Sequence, residues 1–575
     1  MTDPARASLS RRAFVLRCGA IAASLGVVPL LQACSSAAPP AATSAPAAAP
    51  TAAPKPSSAV AAPAASAAPA IKPSASAAPS PSAAAAAQIA PVTAAAPGTA
   101  WGTLRVTLGA EPTTLDPAKS STLFDSDVHD ALFDGLFSND VYDPITGTLA
   151  ESWNTTDGKT WTITLKKGLK FHDGQEVTSA AVKFTVDRLL DPATGAAPQP
   201  KGRALQVASM STPDPYTVVF ELKAPSATWP LELSDILIVP PNFDPTKPVG
   251  TGPFMFVEWV RNQRVRVKKN PNYHMAGLPY LDEVVFLPTP DENQKIVLLQ
   301  TGQVDFTDTV PLPRVKELTA GGAITVIGIE PGVSPSSYFM LVRTDKKPFD
   351  DPRVRQAVNY AIDRKSQLDV TFNVGTIKSN PVPPKNWAFS AAAPSYNDRD
   401  VAKAKSLLAV AGYSGGFSAS LKHITSRAEF VPMGQLFQAS MAEVGIKIDL
   451  IPLEIGVWIE QAQNQYDFEM ALTGVIPGPD PDAIMTSLYD QNQANGKMTF
   501  YKNDQLQQLI EQGRAAVDRE QRKQIYAQAQ NIIMTDLPAW PINERPILFG
   551  ASPAVQGFKA DVRQHLHFHQ TWLKK

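Results

Sequence analysis

A long stretch that cannot build a core sets the first limit on what this chain can fold into. Residues 35 to about 100 are almost entirely Ala, Pro, Ser and Thr, and Lys55 and Lys72 are their only charges. Prolines interrupt helices, and the small side chains offer too little apolar area to offset chain entropy. We predict a disordered tether over residues 34–100, which would reach on the order of 3 Å per residue when extended. Folding is therefore confined to residues 101–575.

The residues before the tether have the pattern of an export signal. Ser10–Leu16 matches the twin-arginine pattern, although Leu16 stands where lysine is common. The apolar stretch Ala20–Leu31 is shorter than the roughly 20 residues that a membrane-spanning helix needs. We predict a twin-arginine-like signal over residues 1–33, and an ordinary Sec signal with two chance arginines is the alternative.

The end of this signal resembles a lipobox. Leu31-Gln32-Ala33-Cys34 fits the pattern, although Gln32 replaces the usual small residue. In lipoprotein signals of this type the cysteine becomes the new N-terminus and carries diacylglycerol, so we predict that Cys34 is lipidated and anchors the protein to the membrane. The second cysteine, Cys18, lies inside the signal. The processed body would then have no thiol, which excludes cysteine-bound zinc and thiol catalysis.

Charge and motif content exclude further classes of function. The formal net charge is -1, so the sequence has no basic footprint for nucleic acid. It contains neither the H-E-x-x-H pattern of zinc proteases nor the phosphate-binding pattern G-x-x-x-x-G-K. We predict a protein that is not an enzyme, needs no cofactor and does not bind nucleic acid.

Strand and helix patterns interleave through residues 101–575. Thr103–Leu108 alternates apolar and polar residues, as a half-buried strand does. Asp351 and Pro352 have the N-cap and first-position chemistry of a helix start. A helix is predicted over Val431–Val444, followed by a strand over Ile446–Leu450. This order favours α/β lobes over a helical bundle or a β-sandwich.

An ordered series of short motifs carries a family resemblance. The longest is A-E-S-W-N-T-T-D-G-K-T-W-T-I-T-L-K-K-G-L-K-F-H-D-G, over residues 150–174. The others are Val249–Phe254, Asn270–Tyr273, Leu281–Asp282, Gly302–Asp305, Pro348–Ala357, Ala402–Tyr413 and Asp536–Pro538. The series, over roughly residues 101–550, resembles the family 5 extracellular solute-binding proteins, the peptide and nickel binders of ABC importers.

The resemblance implies an α/β fold, the class II periplasmic-binding-protein fold, with two large lobes and a smaller inserted lobe. Lobe one would comprise residues 101–122, 250–335 and 541–575. The small lobe would comprise residues 123–249, and lobe three residues 336–540. Each boundary is set only to within ten residues or more.

The resemblance also implies the function. A monomeric, lipid-anchored subunit on the extracytoplasmic face of the membrane would capture a small solute, by family default an oligopeptide, between its lobes. It would deliver that solute to an ABC permease. The alternatives are a ligand-sensing lipoprotein on the same fold, or a relative specialised for saccharide or nickel-chelate uptake.

Four ligand-binding candidates follow from matched positions in lobe three. Arg427 falls near the arginine with which dipeptide binders of the family hold the ligand's carboxylate. A guanidinium suits this role because its planar donors bind a carboxylate through two hydrogen bonds. Trp387, Trp458 and Trp540 lie in segments that approach the cleft in relatives, and they are candidates for stacking on a ligand.

A further set of candidates lies between residues 473 and 482. Peptide binders of the family carry an Asp after a Thr-Gly pair, where it holds the ligand's α-amino group. Here Thr473 and Gly474 are followed by Val475, and an ammonium beside it would be buried without a counter-charge. Asp480 and Asp482 are the candidates to replace the missing carboxylate.

Three histidines near the C-terminus form a separate candidate. His565, His567 and His569 alternate along the chain, so an extended conformation would place them on one face, where imidazoles can bind zinc, nickel or copper. No acidic residue or cysteine follows Asp561 in the sequence. We predict no metal site and keep these histidines as the alternative.

Overall fold

A computed structural model describes residues 102–120, 122–138, 145–334, 336–425, 427–493, 496–560 and 562–574. The predicted signal, the tether and Cys34 lie outside the described residues. Among the helices of this described part, none combines the length and the apolar character that a bilayer crossing demands.

The first sheet collects strands from both ends of the described chain, and we call the body around it lobe one. Its strand order is β10-β16-β9-β1-β8-β7-β6. Alternation in β1 buries Leu104, Val106 and Leu108 completely, as the sequence predicts. β1 pairs in parallel with β8 and β9, whereas β16 pairs with β9 and β10 in antiparallel. The strands are β1 Thr103–Leu108, β6 Phe254–Val260, β7 Arg264–Lys269, β8 Glu283–Pro288, β9 Phe306–Thr307, β10 Thr325–Gly328 and β16 Leu548–Ala551.

Two further sheets define the small lobe and lobe three. The small lobe has an antiparallel sheet in the order β2-β3-β5-β4, with β2 Ala150–Asn154, β3 Thr160–Leu165, β4 Val207–Asp214 and β5 Thr217–Leu222. Lobe three has the order β13-β12-β14-β11-β15, with β11 Ser337–Val342, β12 Phe417–Ile424, β13 Ile446–Leu453, β14 Met470–Val475 and β15 Ala539–Glu544. A short ribbon joins β17 Val555–Gln556 to β18 Trp572–Leu573.

The helices cover the sheets and agree with the stronger sequence patterns. They are α1 Leu123–Leu132, α2 Ser179–Leu190, α3 Pro198–Ala204, α4 Trp229–Ser234, α5 Glu292–Gln300, α6 Val315–Gly321, α7 Pro352–Ala361, α8 Arg364–Val370, α9 Val401–Val410, α10 Phe430–Ala442, α11 Ile455–Trp458, α12 Pro481–Tyr489, α13 Asp504–Ala515 and α14 Arg519–Asp536. Asp351 caps α7 by accepting the Arg353 backbone N–H, and Pro352 is the first helical residue. The mixed α/β fold class is thus confirmed.

Helix α1 packs on the sheet of lobe one. Its buried residues Val128, Ala131 and Leu132 belong to the core of lobe one, together with Phe254 of β6. These side chains lie on one face of the helix, and that face covers the seven-stranded sheet. The chain therefore leaves lobe one only after α1.

The glycine-rich crossover that returns from the small lobe lies against the end of α1. A Cβ on Gly250 would lie 2.0 Å from the Leu132 carbonyl oxygen, and one on Gly252 would lie 2.5 Å from the Leu132 carbonyl carbon. His172 holds the crossover from the other side, because its Nδ1 accepts the Gly250 N–H at 3.2 Å and its Nε2 lies 3.0 Å from the Gly252 carbonyl oxygen. Burial lowers the pKa of His172, which fits this neutral, structural role.

Candidate functional site

Two large cavities of the described chain open between the lobes. One, of about 560 Å³, lies between lobe one and lobe three, and we call it the arginine cavity. Its walls include Asn293, Pro311, Arg314 and Gln564 from lobe one, and Tyr338, Phe372, Arg427, Glu429 and Arg545 from lobe three. The other, of about 550 Å³, touches all three lobes, and we call it the three-lobe cavity. Its walls include His129, Asp130 and His565 of lobe one, Arg203 and Glu232 of the small lobe, and Ile476 and Pro479 of lobe three.

Two guanidinium groups meet in the arginine cavity. Arg545 is 6% exposed, and its pKa is lowered to about 10, first by burial and then by the charge of Arg427. Within the described chain, neither arginine forms an ion pair with a carboxylate. Mutual repulsion between two guanidiniums is relieved when an anion lies between them. The cavity is therefore suited to a carboxylate or another anion.

The sheet of lobe three positions Arg545. This residue follows β15 directly, and its backbone N–H donates to the Ser336 carbonyl oxygen at 3.1 Å. Its side chain crosses Gly474, where an added Cβ would lie 3.4 Å from the Arg545 Cδ. Sequence reasoning found Arg427 and missed Arg545. A charged residue directly after the wholly buried strand β15 is the signal that could have revealed it.

A carboxylate faces the same cavity. The hydroxyl of Tyr338 donates to Glu429 Oε1 at 3.1 Å, and this contact orients the carboxylate. Burial, followed by the charge of Glu429, raises the pKa of Tyr338, so the phenol keeps its proton. The arginine cavity thus offers two positive groups and one negative group to a solute.

The segment around Val475 lies between the two cavities. Thr473, Gly474 and Val475 end strand β14, and Val475 pairs with Ser337 of β11. Val475 packs on the edge of the lobe three core. Ile476, the next residue, lines the three-lobe cavity. The structure therefore places Gly474 against Arg545 and leaves the Val475 position without a charge.

Asp480 and Asp482 bind other parts of lobe three. Asp480 caps α12 and accepts two hydrogen bonds from the Arg522 guanidinium, at 2.6 and 3.0 Å. Asp482 accepts the Tyr526 hydroxyl at 3.1 Å and lies 3.4 Å from Arg514 Nε. These contacts tie α12 to α13 and α14. Neither carboxylate lines the arginine cavity or the three-lobe cavity.

The three candidate tryptophans also lie away from both cavities. Trp540 is fully buried in β15, and Trp458 is 4% exposed within the same core. The ring of Trp387 is covered by the guanidiniums of Arg519, at 4.9 Å, and Arg522, at 5.3 Å. All three pack within lobe three, and the structure does not bring them together with Arg427.

A short match to a hydrolase motif has the wrong context. Gly412-Tyr413-Ser414-Gly415-Gly416 fits the pattern G-x-S-x-G. In the nucleophile elbow of hydrolases this pattern joins a strand to a following helix. Here it joins helix α9 to strand β12, and Ser414 is exposed. The match therefore carries no catalytic geometry.

Comparison with known proteins gives consistent matches. A family model described as bacterial extracellular solute-binding proteins, family 5 Middle, matches residues 144–496. The glutathione-binding protein GsiB of Salmonella typhimurium is 29% identical over 493 residues, covering 82% of this chain and 94% of the relative. The periplasmic binding protein AgaA from A. tumefaciens R10, solved with agropinic acid, has 29% identity, a TM-score of 0.67, and coverage of 82% of this chain and 99% of that one. The binding protein DppA from Helicobacter pylori, solved with the peptide STSA, has 26% identity and a TM-score of 0.67, with coverage of 83% and 99%.

Proposed function

Because this chain belongs to the family 5 bacterial extracellular solute-binding proteins, we propose that it binds short peptides through the arginine cavity. Membership of the family makes it a solute-binding component of an ABC importer and not an enzyme. The observation that carries the proposal is the pair Arg427 and Arg545, which line one interlobe cavity, where the charge of Arg427 lowers the pKa of Arg545 more than the charge of Glu429 raises it. Relatives that bind glutathione, a peptide and agropinic acid support a solute with a carboxylate.

The carboxylate end of the solute would lie between the two guanidiniums. Hydrogen bonds to charged groups contribute about 1.5–3 kcal/mol each, and a buried guanidinium is already desolvated before the solute arrives. Arg545 is the better anchor, because β15 and Gly474 hold it in place, whereas Arg427 is exposed. Arg427 would complete the site from the turn that precedes α10.

The amino end of the solute would bind Glu429. Val475 stands where peptide binders of the family place an Asp, so the ammonium needs another counter-charge. Glu429 lines the same cavity as the two arginines, and Tyr338 holds its carboxylate in place. This arrangement lets a zwitterionic peptide bind with both ends neutralised.

We further propose that Cys34 carries the lipid and that the protein is a monomer anchored on the extracytoplasmic face of the membrane beside its permease. The lipobox at residues 31–34 and the tether that follows it support this arrangement.

The peptide proposal is tested with one tetrapeptide, its C-terminal amide and its N-acetyl form, titrated calorimetrically into the full chain. We expect the free peptide to bind most tightly. Arg545→Gln should weaken that binding by about 10- to 100-fold, and it should barely change binding of the amide. Glu429→Gln should weaken binding of the free peptide and barely change binding of the N-acetyl form.

Arg261→Gln is the matched control. Arg261 is 62% exposed and stacks on Trp259 in lobe one, away from the cavity, so this variant should bind peptides like the wild type. Equal affinity for the peptide and its amide in the wild-type protein would show that the carboxylate is not recognised. Tight peptide binding by Arg545→Gln would place the site elsewhere.

A further inference from the structure

The C-terminal segment of lobe one carries histidines that the peptide proposal does not use. Leu566 and Phe568 are 1% and 2% exposed and belong to the core of lobe one. Burial alternates through residues 565–569, as it does along an extended chain packed on one side. His565 and His567 therefore point away from that core, towards helix α1.

Helix α1 brings a carboxylate to these histidines. His565 Nδ1 lies 2.8 Å from Asp130 Oδ2, although 435 residues separate the two in sequence. One ligand atom from each of Asp130, His565 and His567 can be chosen so that all three lie within 4.8 Å of one another. The acidic partner that the sequence lacks after Asp561 is thus supplied from the other end of the lobe.

We propose that Asp130, His565 and His567 form a binding site for a divalent transition metal, with Zn²⁺ the best match. Two imidazole nitrogens and one carboxylate oxygen are a donor set that zinc prefers. Ligand atoms around a tetrahedral zinc lie roughly 3.3 Å apart. Side-chain movements on the order of 1 Å would therefore bring the three donors into coordination, and the metal would replace the direct contact between His565 and Asp130.

A second carboxylate beside the site supports a cation there. Asp127 lies one turn before Asp130 on α1, on the same side of the helix. It is 1% exposed and lies close to the Leu566 backbone and to His567. A divalent cation bound by Asp130 would attract this buried carboxylate as well.

The site is open on one side. Asp130 and His565 line the three-lobe cavity, and Asp130 and His567 line a neighbouring cavity of about 180 Å³. Three protein ligands leave one tetrahedral position for water or for an exogenous ligand. A ligand on that position would face the three-lobe cavity and lie near Ile476 of lobe three. This chemistry is independent of Arg427 and Arg545.

The test is a titration of the chelator-stripped full chain with ZnCl₂. Binding is measured by calorimetry and by the change in melting temperature. We expect saturable binding of one equivalent and a melting temperature that rises with the zinc concentration. Co²⁺ in place of Zn²⁺ should give the visible absorption of a tetrahedral complex. Asp130→Asn and His567→Gln should each weaken zinc binding at least tenfold.

His172→Gln is the control, because both ring nitrogens of His172 are engaged with the Gly250–Gly252 crossover. This variant should bind zinc like the wild type. Circular dichroism of each metal-free variant shows whether it is folded, and His565→Gln decides the matter if another variant is not. The proposal is overturned if the wild type shows no saturable binding, or if Asp130→Asn and His567→Gln bind zinc as tightly as the wild type. Peptide binding that persists in these variants would show that the arginine cavity is unaffected.

Discussion

Lys378 is an unusual residue of lobe three, because its ammonium group is buried. It is 2% exposed, and its Nζ donates to the Ser337 hydroxyl oxygen at 2.8 Å. Burial lowers the pKa of Lys378 to about 7, and the charge of Glu544 opposes that shift. The lysine therefore loses its proton in the folded protein at a pH where it would keep it in the unfolded chain.

Because the pKa of Lys378 is lower in the folded protein, the free energy of unfolding rises with pH. Between pH 7 and about 10, the unfolded chain binds one more proton at Lys378 than the folded protein, so stability rises with pH by at most about 1.4 kcal/mol per unit. Below pH 7 both states are protonated and this contribution becomes flat. Denaturant unfolding of wild type and Lys378→Met from pH 6 to pH 9 checks this. The stability of the wild type relative to the variant should increase across that range, and a constant difference would contradict it.

The residues of the arginine cavity show how far sequence reasoning reaches at this scale. Arg427 matches a family position in the sequence, and it lines an interlobe cavity. Arg545 stands 118 positions later, and only the pairing of β14, β11 and β15 brings it to Gly474. Local periodicity in the sequence does not predict pairing between strands that are far apart in the chain. Whether these residues bind solute stays a prediction.

At the scale of elements, the return crossover and α1 depend on each other. Gly252 lies so close to the last turn of α1 that an added methyl group would meet backbone atoms, which cannot move as a flexible side chain can. Gly202, an exposed residue of helix α3, has nothing within 4 Å of the position that an added methyl group would take. The two glycines therefore offer a matched pair of substitutions.

We expect Gly252→Ala to destabilise the protein by about 1–3 kcal/mol, because it overpacks a tight backbone contact. Gly202→Ala should be neutral or stabilising by up to about 1 kcal/mol, because alanine favours a helix over glycine. Both are measured by urea unfolding followed by circular dichroism. A Gly252→Ala variant as stable as Gly202→Ala would show that the crossover and α1 are not packed as described.

Local patterns predicted individual elements well and their assembly less well. The predicted strand Thr103–Leu108 has its observed bounds, and the helix predicted over Val431–Val444 runs from Phe430 to Ala442. Apolar residues recurring along one side of Ser126–Leu136 predict a helix there, and the observed helix is displaced to Leu123–Leu132, because Thr122 and Asp125 form a capping box upstream. That box depends on side-chain geometry at one turn, which apolar periodicity does not register. The membership of α1 in lobe one likewise follows from contacts with β6, far along the chain.

At the scale of the whole molecule, the proposed anchor can be tested through the two cysteines. Cys34→Ser should move the protein from the membrane fraction to the soluble extracytoplasmic fraction, because acyl chains are what hold such a protein at the bilayer. Cys18→Ser is the matched control and should leave the protein in the membrane fraction. Cell fractionation and immunoblotting decide between them. A Cys34→Ser protein that stays with the membrane would disprove the anchor.

The strands of lobe one come from distant parts of the sequence, and this delays the completion of its sheet during synthesis. Its sheet pairs β1, near residue 103, through β9 with β16, near residue 548, and its core needs Phe558, Leu566 and Phe568. At a ribosomal rate of about 5–20 residues per second, roughly 20–90 s separate the first of these strands from the last. Lobe three lies wholly within that interval and can fold first. Strands β9 and β10 must therefore wait, each unpaired on the side that β16 fills, until residues 548–551 have been synthesised.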